Sequence, residues 1–130
     1  MPISGTHGTT FGGSPLACAI GHHVLTRLSS PVFRTQMEEV SKYLGERLYK
    51  LPKRYPSLFR EDIRGRGFMR GLGIKDPSKP GSIVQLARDR GVLVLTAGAD
   101  AVRIVPSLTV GKEEVDMAVD VLDAISHDLQ

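Results

Sequence analysis

Two stretches of this sequence hold residue types whose spacing suggests chemistry. The first is Gly8-Thr9-Thr10-Phe11-Gly12-Gly13, set directly before Ser14-Pro15. Glycines let a backbone approach a ligand closely, threonine hydroxyls donate hydrogen bonds, and a helix starting near Ser14 would offer free N–H groups at its positive end. A phosphate is the natural guest of such a cradle; by composition alone, the same stretch is an ordinary loop. It is not the nucleotide-binding P-loop, whose lysine is absent and whose preceding strand is missing. The second is Arg103, which interrupts the apolar run Ala101-Val102-Arg103-Ile104-Val105-Pro106. On a strand it shares a face with Ala101 and Val105 and opposes Val102 and Ile104. Such an arginine either snorkels from an edge strand or offers a two-pronged fork to a carboxylate.

Other reactive residue types give weaker signals. His7, His22, His23 and His127 have no metal-ligand spacing, and His22-His23 on a helix point in different directions, so no metal site is expected. Glu38, Glu39, Glu46, Glu61, Glu113, Glu114, Asp116, Asp120 and Asp123 fall mostly on polar helix faces without forming a catalytic pair, which reads as solvated charge. Cys18, the single cysteine, sits in Pro-Leu-Ala-Cys-Ala-Ile and is expected to be a buried, reduced thiol.

The elements that must hold these residues follow from periodicity and punctuation. Ser14 is an N-cap and Pro15 a first-turn proline, and Leu16, Ile20, Val24, Leu25 and Leu28 continue at helical spacing, giving a helix over 14–28. Ser30-Pro31 repeats the start signal for a longer helix carrying Val32, Phe33, Met37, Val40, Leu44, Leu48 and Leu51, ended by Pro52 and Pro56. Residues 63–74, with glycine at 65, 67, 71 and 73, read as one bulged strand. After turns at Asp76-Pro77 and Lys79-Pro80-Gly81, a short helix through Ile83, Val84, Leu86 and Ala87 is closed by Gly91. Residues 92–95 and 102–105 read as strands joined by a turn at 97–100. A last helix begins near Gly111 with Glu113 and Glu114 at its positive end. The order is α-α-β-α-β-β-α, an α+β arrangement of a three-stranded sheet with helices packed on one face.

The 130 residues, 41% of them apolar, suit a modest core. No run approaches the roughly 20 apolar residues of a membrane helix, so no membrane association is expected. The start shows neither a secretory signal nor a transit peptide. A net charge of +3 with 5% aromatics and no tryptophan argues against nucleic-acid binding, which needs a continuous basic face with stacking rings. The specialised glycine/threonine loop at the extreme N-terminus suggests a chain cut from something longer.

The string Gly5-Thr6-His7-Gly8-Thr9-Thr10-Phe11-Gly12-Gly13-Ser14-Pro15-Leu16-Ala17-Cys18 resembles a long, specific motif of the class III aminotransferases, the family of acetylornithine and ornithine aminotransferases. Two further segments agree in order and spacing: Arg64-Gly65-Arg66-Gly67-Phe68-Met69-Arg70-Gly71 and Val102-Arg103-Ile104-Val105-Pro106-Ser107-Leu108-Thr109. Leu95-Thr96-Ala97-Gly98 is similar to the turn of the acetylornithine branch. The resemblance covers essentially the whole chain. It implies the C-terminal segment of a fold-type I enzyme dependent on pyridoxal 5'-phosphate, with residues 1–30 ending the large cofactor-binding domain and 31–130 forming the small C-terminal domain.

The same resemblance implies a homodimer in which Thr10 contacts the phosphate of the partner's cofactor, Thr9 lies near the substrate, and Arg103 grips the α-carboxylate of the amino acid or of 2-oxoglutarate. Ser14 stands where the family usually has Asn, a change that keeps the N-cap. The family's Schiff-base lysine lies upstream, and no lysine precedes Lys42 here, so the segment carries no catalytic residue and is expected to be inactive alone. The expected whole protein transfers the terminal amino group of N-acetylornithine to 2-oxoglutarate in arginine biosynthesis, in the mitochondrial matrix if fungal and otherwise in the cytoplasm. The alternatives are an ornithine or 4-aminobutyrate aminotransferase, or a non-catalytic α+β module that binds an amino acid or anion.

Overall fold

The computed structural model describes residues 8–130, so Gly5, Thr6 and His7 of the motif lie outside the described residues. Internal contacts divide the chain into two units, Met1–Gln36 and Met37–Gln130.

In the first unit, helix α1 spans Pro15–Ser29. Ser14 caps it as expected: its Oγ accepts the Ala17 N–H at 3.4 Å, and Pro15 takes the first turn, where no N–H is needed. The apolar stripe of Leu16, Ile20, Val24, Leu25 and Leu28 is present, yet α1 buries none of its residues. Cys18 is exposed, which corrects the expectation of a buried thiol; the small residues around it mark a helix face rather than an interior. Helix α2, Pro31–Leu48, begins in this unit and continues into the second.

The second unit holds the sheet. Helix α2 stops at Leu48 instead of running on to Pro52, and a short α3, Lys50–Arg54, follows with Pro52 inside it. A proline in the first turn of a helix lacks only an N–H that would have no partner there, so Pro52 is accommodated and the break falls at Tyr49. The region read as one bulged strand is a hairpin, β1 (Phe59–Arg66) and β2 (Met69–Ile74). Gly65 and Gly67, with φ of 97° and 59°, turn the chain in the left-handed region that other residues avoid. Helix α4 (Lys79–Asp89) follows, and Gly91, φ 82°, ends it.

The expected strand over 92–95 is displaced: β3 is Leu95–Ala97. The Val92 N–H is taken by the Ala87 carbonyl at 2.8 Å, so the helix terminus consumes the start of that apolar run. Strand β4 (Ala101–Ile104) and helix α5 (Lys112–Asp128) complete the chain. Gly111 precedes α5, its N–H bonded to Glu114 Oε2 at 2.9 Å, with Glu113 also in the first turn.

The result is α+β, with four antiparallel strands in the order β1-β2-β4-β3 where three had been expected. One face carries the row Ile63, Leu72, Val102 and, beside it, Ile104. These pack into one core with Val40, Leu44 and Leu48 of α2, Ile83 and Ala87 of α4, and Val115, Val119, Leu122 and Ile125 of α5. Helices therefore cover this face. Several acids read as solvated charge tie helices together: Tyr43 donates to Asp116 at 2.7 Å, Arg47 to Asp120 at 2.6 Å, and Arg54 to Asp123 at 2.8 Å. Among the described residues no helix is long and apolar enough to cross a membrane.

Arg90 at the end of α4 donates to Asp128 at the end of α5 at 2.7 Å. That hydrogen bond holds the Asp128 carboxyl below its ordinary value of 3.8, so the contribution is complete above that value and is lost as the pH falls through the lower, folded one. Asp128→Asn should therefore melt below the parent chain at neutral pH, with the gap closing below about pH 3.8. Thermal melts across the acid range check this; a gap that persists at the lowest pH contradicts it.

Candidate functional site

The second face of the sheet is uncovered in its middle. Across it runs a row with one residue from each strand: Arg64 of β1, Gly71 of β2, Arg103 of β4 and Leu95 of β3. Adjacent strands are about 4.8 Å apart, which places Arg64 and Arg103 on either side of Gly71 at roughly 10 Å between backbones. Arg64, Arg70, Gly71, Ala97, Ala101 and Arg103 are among the residues that line a shallow depression of about 180 Å³. Its floor is low because glycine and alanine occupy the central positions.

Arg103 projects from that face, exposed, and makes no ion pair or hydrogen bond through its side chain to any described residue. β4 is an inner strand, paired with both β2 and β3, so the reading of an arginine snorkelling from an edge strand does not apply. The nearby arginines differ. Arg64 Nε lies 2.8 Å from Asp62, its Nη1 lies 3.4 Å from Asp100, and Arg60 Nη1 lies 3.0 Å from Asp100. The hydrogen bond from Arg64 holds the Asp62 carboxyl below its ordinary range, and Asp62 and Asp100 together raise the Arg64 guanidinium. Among the described residues Arg103 therefore has no acidic partner, whereas Arg64 is already paired.

The threonines lie in the first unit. Thr9 and Thr10 are exposed, and neither side chain hydrogen-bonds a described residue. The loop closes through the Ser14 N–H donated to the Phe11 carbonyl at 3.2 Å, with Gly13 at φ 80°. The methyl of Thr9 lies where a Cβ on Gly12 would sit, so glycine lets the loop fold this tightly. Space around Gly8 and Gly13 is open. The structure places Thr9 and Thr10 side by side in one unit and Arg103 in the other.

The model of the class-III aminotransferases matches residues 1–126. The chain belongs to this family. Among curated class-III relatives, the mitochondrial acetylornithine aminotransferase of Neurospora crassa is 38% identical over 119 residues, covering 92% of this chain and 25% of the relative. The acetylornithine aminotransferase of Rhodobacter capsulatus is 36% identical over 128 residues, covering 98% and 32%. Among solved structures, the N-acetylornithine aminotransferase of Stenotrophomonas maltophilia superposes with a TM-score of 0.78 at 30% identity, over 88% of this chain and 32% of that one. The lysine aminotransferase of M. tuberculosis gives 0.84 at 26% identity, over 98% and 29%. The chain thus spans about a quarter to a third of the length of the relatives it matches.

Class-III membership implies pyridoxal phosphate for the full-length aminotransferase. The loop's chemistry fits that group: an exposed Thr10 hydroxyl, bonded to no described residue, in a loop with open glycine backbone offers donors to phosphate oxygens. Sequence reading passed over Asp100, which it took as part of a turn. Its two arginine partners lie 40 and 36 positions earlier in the chain, a pairing that only the hairpin creates.

Gly65 closes that hairpin, and a Cβ added there would run into the Met69 carbonyl oxygen at a φ of 97°. Gly65→Ala should destabilise the chain by about 1–3 kcal/mol or more, because a non-glycine residue is strained in that backbone region. Gly71→Ala, whose Cβ would meet only Arg64 Cβ at 3.7 Å, should be mild by comparison. Urea unfolding of the two variants decides; equal losses contradict the account.

Proposed function

We propose that this chain is the C-terminal part of an acetylornithine aminotransferase, a homodimeric enzyme that moves the terminal amino group of N-acetylornithine to 2-oxoglutarate in arginine biosynthesis. In this reading residues 1–30 end the large cofactor-binding domain and 31–130 form the small domain. The observation that carries it is Arg103, a guanidinium with no acidic partner among the described residues, at the centre of an uncovered sheet face. Both amino acid and 2-oxo acid present a carboxylate, and a planar guanidinium matches it with two parallel hydrogen bonds. Arg103 holds that carboxylate and fixes which end of the substrate reaches the reacting centre.

Thr10 holds the phosphate of a pyridoxal phosphate seated in the partner subunit, and Thr9 lies beside the substrate. Bound pyridoxal phosphate supplies an electron sink for the bond-breaking at carbon. The exposed apolar stripe of α1 supports the reading of a piece that packs against a larger body. Names of the relatives support the choice of amine, and the fungal ones are mitochondrial, so a fungal source places the protein in the matrix and a bacterial one in the cytoplasm. Assay of the complete enzyme with N-acetylornithine, ornithine and 4-aminobutyrate tests the amine: N-acetylornithine should have the highest kcat/KM, and a clear preference for another would replace the assignment.

The segment by itself is inactive in this reading. Its first lysine, Lys42, is 81% exposed on α2 and 3.9 Å from Glu46, whereas covalent catalysis requires an amine desolvated beside the cofactor. The isolated chain mixed with pyridoxal phosphate should show no transaminase activity and no visible absorbance band that survives dialysis; a persistent band would contradict this. In the complete enzyme, Arg103→Ala should raise KM for both carboxylate substrates, by an amount corresponding to about 1.5–3 kcal/mol per lost charged hydrogen bond. Unchanged KM values for both would exclude the role.

A further inference from the structure

We infer that Asp100 is a positioning residue for Arg103, acting through an ion-paired strap that crosses the sheet; this rests on the carboxylate-holding role proposed for Arg103. Asp100 immediately precedes β4, three residues before Arg103. Its carboxylate takes Arg60 at 3.0 Å on Oδ2 and both terminal nitrogens of Arg64 at 3.4 Å, one on each oxygen, both arginines coming from β1. β2 lies between β1 and β4, so these contacts reach over an intervening strand.

The strand beneath is shaped for that crossing. A Cβ on Gly73 would sit 3.2 Å from Arg60 Cβ, 3.2 Å from Asp62 Oδ1 and 3.3 Å from Arg60 Cδ, tighter than ordinary contact. Gly73 and its pairing partner Ala101 are both buried although they belong to the otherwise open face. Glycine at 73 thus leaves room for the side chains that join β1 to the start of β4. The backbone adds a second tie, the Ile74 N–H donated to the Asp100 carbonyl at 2.7 Å. Together they fix the entry of β4 from the side chain and from the main chain, and Arg103 inherits its place from that strand.

The strap also settles the charge of the face. Arg60 and Arg64 are matched by Asp62 and Asp100, so in the row Arg64, Gly71, Arg103 the first arginine is paired and the second has no acidic partner among the described residues. Without the Asp100 charge, Arg64 keeps Asp62 but Arg60 loses its ion-pair partner, so the β1 side of the open face carries one cation in excess. A substrate carboxylate would then divide between two positions, only one of which presents the substrate correctly.

The test uses the complete enzyme. Asp100→Asn should raise KM for both the amino donor and the 2-oxo acid about fivefold, with kcat at saturating substrate changed less than KM, and Asp100→Glu should restore KM to within about twofold. Should Asp100→Asn not yield folded enzyme, Arg60→Gln removes one of the two contacts and should raise KM about twofold to threefold. A KM unchanged in these variants, while Arg103→Ala raises it, overturns the positioning role alone. A loss of kcat with KM unchanged, or no rescue by Glu, overturns it as well, since that is what general loosening of the fold would give. Unchanged KM in Arg103→Ala overturns both this inference and the reading of Arg103 on which it stands.

Discussion

The second unit leaves the guanidinium of Arg103, at the centre of its open sheet face, without an acidic partner among the described residues, and the packing of the sheet enforces that arrangement. The sheet places Arg103 on an inner strand, on the face opposite the helices, with Gly71 and Leu95 as its row neighbours. The helices α2, α4 and α5 bury the other face with apolar side chains, so the strand cannot turn Arg103 inward without losing Val102 and Ile104 from the core. Alternation along the strand therefore aims the arginine: the residues on either side of it pay their way by burial, and the arginine is what remains outside.

The neighbouring charges follow the same logic. Four ionised groups, Arg60, Arg64, Asp62 and Asp100, satisfy one another at the edge of the open face. Exposed ion pairs of this kind contribute little to stability, on the order of 0–1 kcal/mol each. Their effect lies in which cation is left over. Ties between α2 or α3 and α5 use Tyr43, Arg47 and Arg54 with Asp116, Asp120 and Asp123, and they bind helices to each other, away from the sheet's open face.

Much of this was legible from residue types. Ser14-Pro15 marked the start of α1 and Gly91 the end of α4, because capping and left-handed backbone depend on one or two residues at known positions. The alternation at 102–105 put Arg103 opposite the apolar pair before any sheet was known. The hairpin was missed because glycines at 65, 67, 71 and 73 serve different ends, two turning the chain and two lowering a strand surface, and one letter cannot distinguish them. Strand β3 slipped because Val92, although apolar, has its N–H committed to α4. The environment of Cys18 was misjudged since small apolar neighbours suit an interior and a packing face equally. Asp100 was invisible as a partner of Arg60 and Arg64, since that contact exists only once β1, β2 and β4 are assembled. The roles proposed for Thr9, Thr10 and Arg103 come from the family resemblance, since periodicity says nothing of them.

The most direct measurement is a crystal structure of the complete enzyme with a non-reacting dicarboxylate analogue of 2-oxoglutarate bound. The account predicts one carboxylate on the Arg103 guanidinium through two hydrogen bonds of about 2.7–2.9 Å, with Arg64 still turned toward Asp62 and Asp100. A ligand held entirely by other residues, with the Arg103 side chain pointing into solvent or paired with a protein carboxylate, would contradict it.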